Sequence, residues 1–274
     1  MDRRMGSRRL LLPPDVPMDL LHIVLLVIAG IAGGTLSALV GGAAIITFPV
    51  LLATGISPVV AVTTNLVALL PGNFLAAAYD RSQLPPLGRS FAGMMIASVV
   101  GALAGASLLL VTPEKTFALL VPLLLGFATI LFAYAGRIGA WVRARAAARG
   151  EQGPHRWTNS IAWLLPVSVY GGYFGAGLGV LLLGVLSIGT GGDYRSANAV
   201  KNLVIGLNSL VVATVFIARG MVAWPQALVM VAGTLIGAII GIRLAQVVSN
   251  RMARVMVVVV GVVLTVAFAW RYWV

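Results

Sequence analysis

The residue in this chain whose chemistry asks most for an explanation is Lys201, which lies inside an apolar stretch with no acidic residue beside it. A lysine buried in a membrane span is costly and is kept for a purpose. On a helix, Asn198, Lys201, Asn202, Ile205, Asn208 and Ser209 fall at spacings of three and four and share one face. Such a stripe either bonds helix to helix or lines a hydrated pathway for an anion. Thr63, Thr64 and Asn65 carry a weaker version of the face, followed by Pro71, Gly72 and Asn73, and Thr64 stands where Lys201 stands.

That equivalence rests on a duplication. GGAAIITFPVLLATGISPVVAVTTNL from Gly41 to Leu66 answers GAGLGVLLLGVLSIGTGGDYRSANAVKNL from Gly175 to Leu203. Gly41 pairs with Gly175, Gly55 with Gly189 and Asn65 with Asn202, the second copy holding three extra residues after its second landmark glycine. Downstream, GALAGASL at Gly101–Leu108 matches GAIIGIRL at Gly237–Leu244, placing Ser107 opposite Arg243. Internal symmetry of this kind is a building plan of many transporters. Glycine admits close approach of backbone or ligand, and a helix that starts within the membrane turns free N–H groups and its positive end toward an anion. Gly41, Gly42, Gly175 and Gly177 are the candidates for that role, although glycine also serves close helix packing. Arg243 is a further candidate contact, competing with a snorkelling role at the interface. Asp193 and Arg195 are placed to pair at a pore mouth.

The elements that must position these residues follow from composition. Hydrophobic residues make up 60% of the 274 and charged ones 9%, with a mean hydropathy of +1.02. This is an all-α polytopic membrane protein. Apolar runs long enough to cross lie near 19–40, 58–79, 90–111, 115–136, 159–185, 196–218, 223–248 and 253–273, predicting eight transmembrane helices in two four-helix repeats. The pieces at 43–54 and 177–188 are read as broken or re-entrant Gly-rich segments, one in each repeat. An even number of spans makes the repeats parallel, related by an axis near the membrane normal. Residues 1–18 form a basic N-terminus, 19–136 the first repeat, 137–158 a basic linker and 159–274 the second repeat. The first span is read as retained rather than cleaved as a signal peptide.

Of the 19 basic residues, thirteen fall on the cytoplasmic side when both termini are cytoplasmic: Arg3, Arg4, Arg8, Arg9, Arg81, Arg89, Arg137, Arg143, Arg145, Arg149, Arg156, Arg219 and Arg271. Lys115, Arg195, Arg251 and Arg254 fall outside. The positive-inside rule favours this topology over one with five spans per half and inverted repeats, which moves the central arginines out. The net charge of +12 is therefore topogenic and does not indicate nucleic acid. The partners compatible with the reading are a small anionic substrate, the lipid bilayer and, as a homo-oligomer, a second copy of the chain.

No cysteine is present, His22 and His155 are far apart in sequence, and the seven acidic residues fall at span ends or in loops. Thiolate metal sites, catalytic cysteine and an intramembrane carboxylate relay are excluded on these grounds. No phosphate-binding loop and no nucleophile with its base is present, so neither a cofactor nor an enzyme is expected.

The duplicated glycine segment, Pro49, the Gly55-Ile56-Ser57-Pro58 turn, Ala61-Val62-Thr63-Thr64-Asn65-Leu66 and the GAxxGxxL tails together resemble the sulfite exporter TauE/SafE family, also called the toluene sulfonate uptake permease group. The resemblance covers the chain from about residue 20. It implies a transporter of the bacterial inner membrane, built from two repeats, for small sulfur-containing anions such as sulfite and organosulfonates. Members often carry longer glycine runs than Gly41-Gly42-Ala43-Ala44 or Gly175-Ala176-Gly177-Leu178-Gly179, and Lys201 replaces a small hydroxyl or apolar residue. The expected outcome is a secondary carrier that binds its anion through Lys201, Asn202, Asn65, Thr64, Asn198, Asn208 and the glycine backbone. A non-transporting scaffold is the competing expectation.

Overall fold

A computed structural model describes residues 18–39, 41–86, 88–148, 158–190, 193–244 and 250–273. Among them are ten α-helices and no strand. The first five are α1 (Leu20–Leu39), α2 (Ala43–Ala53), α3 (Pro58–Tyr79), α4 (Arg89–Val111) and α5 (Glu114–Ala148), with a short 3-10 turn at Arg81–Gln83. The second five are α6 (Thr158–Tyr173), α7 (Leu178–Gly189), α8 (Tyr194–Ala218), α9 (Trp224–Leu244) and α10 (Asn250–Trp273). Six of the ten are long and apolar enough to cross a bilayer.

Local chemistry sets the helix ends. Ser57 caps α3 by accepting from the Val60 N–H, with Pro58 preset in the first turn. Asp193 caps α8, accepting from the Arg195 and Ser196 N–H groups at 3.0 and 3.4 Å, so it serves the helix end. α8 stops where Gly220 takes φ +66° and the Met221 N–H reaches back to the Phe216 carbonyl.

The run expected as one span over 159–185 is two helices. Its break is a copy of the one after α1: Gly41 sits at φ +80° with its N–H on the Leu36 carbonyl, and Gly175 at φ +79° with its N–H on the Tyr170 carbonyl. Gly177 at φ +78° completes the second turn, and the Tyr170 hydroxyl donates to the Ala176 carbonyl at 2.5 Å. Left-handed backbone is where glycine is the default residue.

Contacts between helices give their directions. α1 and α9 run side by side in the same sense, Gly30 against Met230 and Gly233, Gly34 against Thr234 and Ala238. α4 and α6 repeat the arrangement, Gly101 against Leu165 and Ser168, Gly105 against Val169 and Tyr173. A methyl group on Gly101 would lie 2.6 Å from the Leu165 carbonyl oxygen, so these seams admit hydrogen only. α3 runs with α9, since Thr234 donates to the Ala68 carbonyl and Gly72 meets Ala238. α3 runs against α8: Thr64 at its start meets Ala223 just past the end of α8, and Asp80 at its end shares a cavity with Arg195. α5 runs against α10, Leu119 meeting Trp273 and Gly136 meeting Arg254.

Equivalent helices therefore point opposite ways. Each half holds five helices of alternating direction, and the halves are inverted, which corrects the expected four-span parallel repeats. The reason is α2 and α7. At 11 residues α2 is about 16 Å long, short of a bilayer's apolar thickness. Because α1 and α3 run in the same sense, α2 must nevertheless carry the chain back between them.

Two consequences follow. The end of α5 and the start of α6 lie on the face opposite to the start of α1 and the end of α10, not on the same one, and the first part of the linker is no loop, because α5 continues to Ala148. Residues 149–157 lie outside the described residues, as does the basic N-terminus to residue 17. In the naturally cysteine-free chain, Asp19→Cys and Ala148→Cys, both at exposed positions, are expected to react with an impermeant thiol reagent from opposite sides of the membrane. Labelling of both from the same side of intact cells would contradict the inverted arrangement.

Candidate functional site

Lys201 is fully buried, and its ammonium donates one described hydrogen bond, to the Ser37 carbonyl at 3.0 Å. The first turn of the α8 polar stripe, Asn198 and Lys201, meets the C-terminal end of α1. There Asn198 Nδ2 also donates to the Ala38 carbonyl at 3.5 Å. The last carbonyls of α1 have no helical partner of their own and form the negative end of its dipole, so a cation is well placed beside them. An ammonium has three donors, which leaves Lys201 with capacity to spare.

Next to it, Asn202 is 1% exposed and neither its amide nitrogen nor its oxygen has a hydrogen-bond partner. The Asn198 oxygen is unpartnered as well. Buried polar groups are ordinarily satisfied, and leaving one unpaired costs about 1–3 kcal/mol. Both asparagines line an open vestibule at the end of the molecule where α3 finishes and α8 begins, together with Asp80 and Arg195.

A second, narrow space lies between the halves. Ser37, Gly41, Asn65 and Asn73 line it from the first half, and Gly175, Asn208 and Ser209 from the second. The two glycine breaks meet beside it: a methyl on Gly41 would fall 2.5 Å from the Gly179 Cα. α2 begins there with no side chain capping its N-terminus, and Ala43 and Ala44 of its first turn line the cavity. Lys201 stands between the two spaces. Ser37, whose carbonyl it binds, lines the central cavity, and its neighbours Asn198 and Asn202 line the vestibule.

Of the residues expected at the site, Asn198 and Asn202 line the vestibule and Asn65, Asn208, Gly41 and Gly175 the central cavity, while Lys201, fully buried, lines neither. Asn208 is held by Ser98 on α4, donating to its hydroxyl at 2.8 Å, and that hydroxyl also contacts Ser168 on α6 at 2.9 Å. Gly42 and Gly177 pack instead on α5, against the Phe132 ring and Ala128. Arg243 is exposed near the end of α9, outside both cavities.

Thr64 lies at the far end, fully buried, accepting from the Ala223 N–H at 3.0 Å, and Thr63 donates to the Met221 carbonyl. These bonds tie the start of α3 to the turn after α8. The inverted relation puts this closed end opposite the open vestibule.

Sequence reasoning misses Ser37, Ser98 and Ser168, single polar residues in apolar helices, and Asp80. The signal in Asp80 is a carboxylate at a helix C-terminus, where the dipole disfavours it. Burial holds its carboxyl above the ordinary carboxylate range, against the opposing pull of Lys201 and Arg195. Among the described residues no group of three or more His, Asp or Glu is placed to hold a metal ion.

The family model described as "Sulfite exporter TauE/SafE" matches residues 26–268. A "Probable membrane transporter protein" of Haemophilus influenzae is 25% identical over 254 residues, 92% of this chain and 95% of its own length. The "Probable membrane transporter protein ORF9" of a Sinorhizobium species is 26% identical, covering 89% of this chain and 91% of its own. The "Probable membrane transporter protein YfcA" of Escherichia coli K12 is 26% identical, with coverage of 88% and 87%. No solved structure matches the chain.

Proposed function

This chain belongs to the sulfite exporter TauE/SafE family, and we propose that it is a secondary carrier of small sulfur oxyanions, sulfite or organosulfonates, working by alternating access between its inverted halves. Multi-pass membrane transport is what the family and the relatives' names support directly. The anion class rests on one observation: a fully buried lysine with spare donors stands beside an asparagine amide that is buried and unpartnered. A sulfonate or sulfite presents several acceptor oxygens around one sulfur and would engage Lys201 and Asn202 together. Asn198 stands on the same vestibule wall, Asn65 and Asn208 line the cavity beyond, and the N-terminus of α2 opens onto it.

The vestibule end is open and the Thr63–Thr64 end is closed, which is the asymmetry that a carrier with inverted repeats shows in one of its two states. Exchange of conformations between the halves would close the first and open the second. Counted along the sequence, the ends and loops on the α5–α6 face carry ten lysines and arginines: Arg81, Arg89, Arg137, Arg143, Arg145, Arg149, Arg156, Arg195, Arg251 and Arg254. The face of the termini carries seven, so under the inverted arrangement the positive-inside rule favours a vestibule open to the cytoplasm of a bacterial inner membrane and termini outside, the reverse of the orientation expected from eight spans.

A cross-link tests the gate. With Thr64→Cys and Ala223→Cys in the same chain, oxidation is expected to stop flux in proteoliposomes and reduction to restore it. Flux unaffected by a formed cross-link would mean that this end does not open.

A further inference from the structure

We propose that Asp80 is the proton-coupling group of the carrier: ionised, it supplies the negative charge facing Lys201 and Arg195 in the vestibule, and protonated, it yields that place to the substrate anion. The inference rests on the anion reading of the vestibule and adds to it the ion that travels with the substrate.

The geometry carries it. Asp80 terminates α3, half-buried, and lines the same cavity as Arg195, Asn198 and Asn202. Lys201 and Arg195 are the cations that act on its carboxylate. No described donor lies within hydrogen-bonding distance of that carboxylate, so nothing but these charges fixes it in the ionised form. Of the other charged or titratable groups on the elements packed around it, Tyr79 ends α3, Arg81 opens the following turn, Asp193 is committed to the α8 cap, and Arg243 is exposed on α9. Asp80 is thus the one acidic side chain among the residues lining the vestibule.

An anion bound among Lys201, Arg195 and Asn202 would share the cavity with a carboxylate of the same sign. Like charges in one cavity disfavour each other, so each event promotes the other: the anion raises proton affinity at Asp80, and protonation raises anion affinity by the same factor. The loaded vestibule carries one proton and one anion, and the pair crosses together. Burial raises the proton affinity of the Asp80 carboxyl above that of a free carboxylate, against the pull of Lys201 and Arg195, which is the direction this exchange requires.

Methanesulfonate is the probe, because it stays singly charged throughout the useful range and any pH dependence belongs to the protein. Its affinity for the purified protein, measured by titration calorimetry, is expected to fall by at least about fivefold between about pH 5 and about pH 8. Asp80→Asn is expected to bind tightly at both values, and Asp80→Glu to restore the dependence. In proteoliposomes, Asp80→Asn should exchange methanesulfonate yet fail to accumulate it against its gradient when a pH gradient is imposed.

Binding by the wild-type protein that does not change with pH, or an equal pH dependence in Asp80→Asn, would overturn the proposal while leaving the anion site standing. Absence of methanesulfonate binding at every pH would overturn both the site and the coupling drawn from it. The wild-type profile decides the first point even if neither variant folds.

Discussion

Lys201→Met is expected to reduce saturable anion flux roughly tenfold to a hundredfold while leaving the melting temperature unchanged or higher. Methionine keeps the length and apolar contacts of the lysine stem in a site where the lysine is wholly buried. It removes one hydrogen bond, to the Ser37 carbonyl, and a bond with a charged donor contributes about 1.5–3 kcal/mol. It also removes a buried charge, whose desolvation costs several kcal/mol and which no described carboxylate meets in a hydrogen-bonded pair. The two effects oppose each other, and the second is the larger. A stability gain with loss of flux is the pattern of a residue kept for its ligand. A scaffold whose polar stripe only joins helices predicts the reverse, a lower melting temperature with no substrate-dependent change. Flux into proteoliposomes and unfolding followed by intrinsic fluorescence, on one preparation, separate them.

Gly41→Ala is expected to lower stability and abolish flux. The φ of +80° costs an L-residue about 1–2 kcal/mol, and the added methyl would lie 2.5 Å from the Gly179 Cα. Both atoms belong to backbone that the opposite half holds in place, so the break itself must shift. Gly220→Ala is the internal control. Its φ of +66° imposes similar strain, but nothing lies within 4 Å of the added methyl. Its cost should be confined to about 1–2 kcal/mol of unfolding free energy with flux retained. Equal effects from both substitutions would show that backbone strain, rather than the meeting of the two breaks, is what Gly41 serves.

Lys201 and Gly41 are both legible in the sequence, for different reasons. Lys201 declares itself by cost, and spacings of three and four place Asn198 and Asn202 beside it whatever the rest of the fold does. Gly41 and Gly175 declare themselves by repetition, and the paired left-handed breaks are its physical content. Depth in the membrane is not legible. Thr64 matches Lys201 in the alignment of halves, and under parallel repeats the two would sit at one level. Under inverted repeats, equal positions on antiparallel α3 and α8 lie toward opposite faces, so Thr64 closes the far gate while Lys201 stands at the vestibule. Asp80 is hidden for the same reason. As a span-end carboxylate it is unremarkable, and only the antiparallel pairing of α3 with α8 puts it opposite Arg195 and Lys201. The inversion turns on helices of 11 and 12 residues, too short to be counted as crossings on length.

The central claim is that the two halves carry a sulfur oxyanion by exchanging access to one site. Counterflow of labelled sulfite in proteoliposomes tests it most directly. The account predicts uptake that saturates with substrate, that is accelerated by unlabelled sulfite or sulfonate on the opposite side, and that is lost in Lys201→Met. Uptake that rises linearly with concentration, ignores substrate across the membrane, or equals that of liposomes without protein would contradict it.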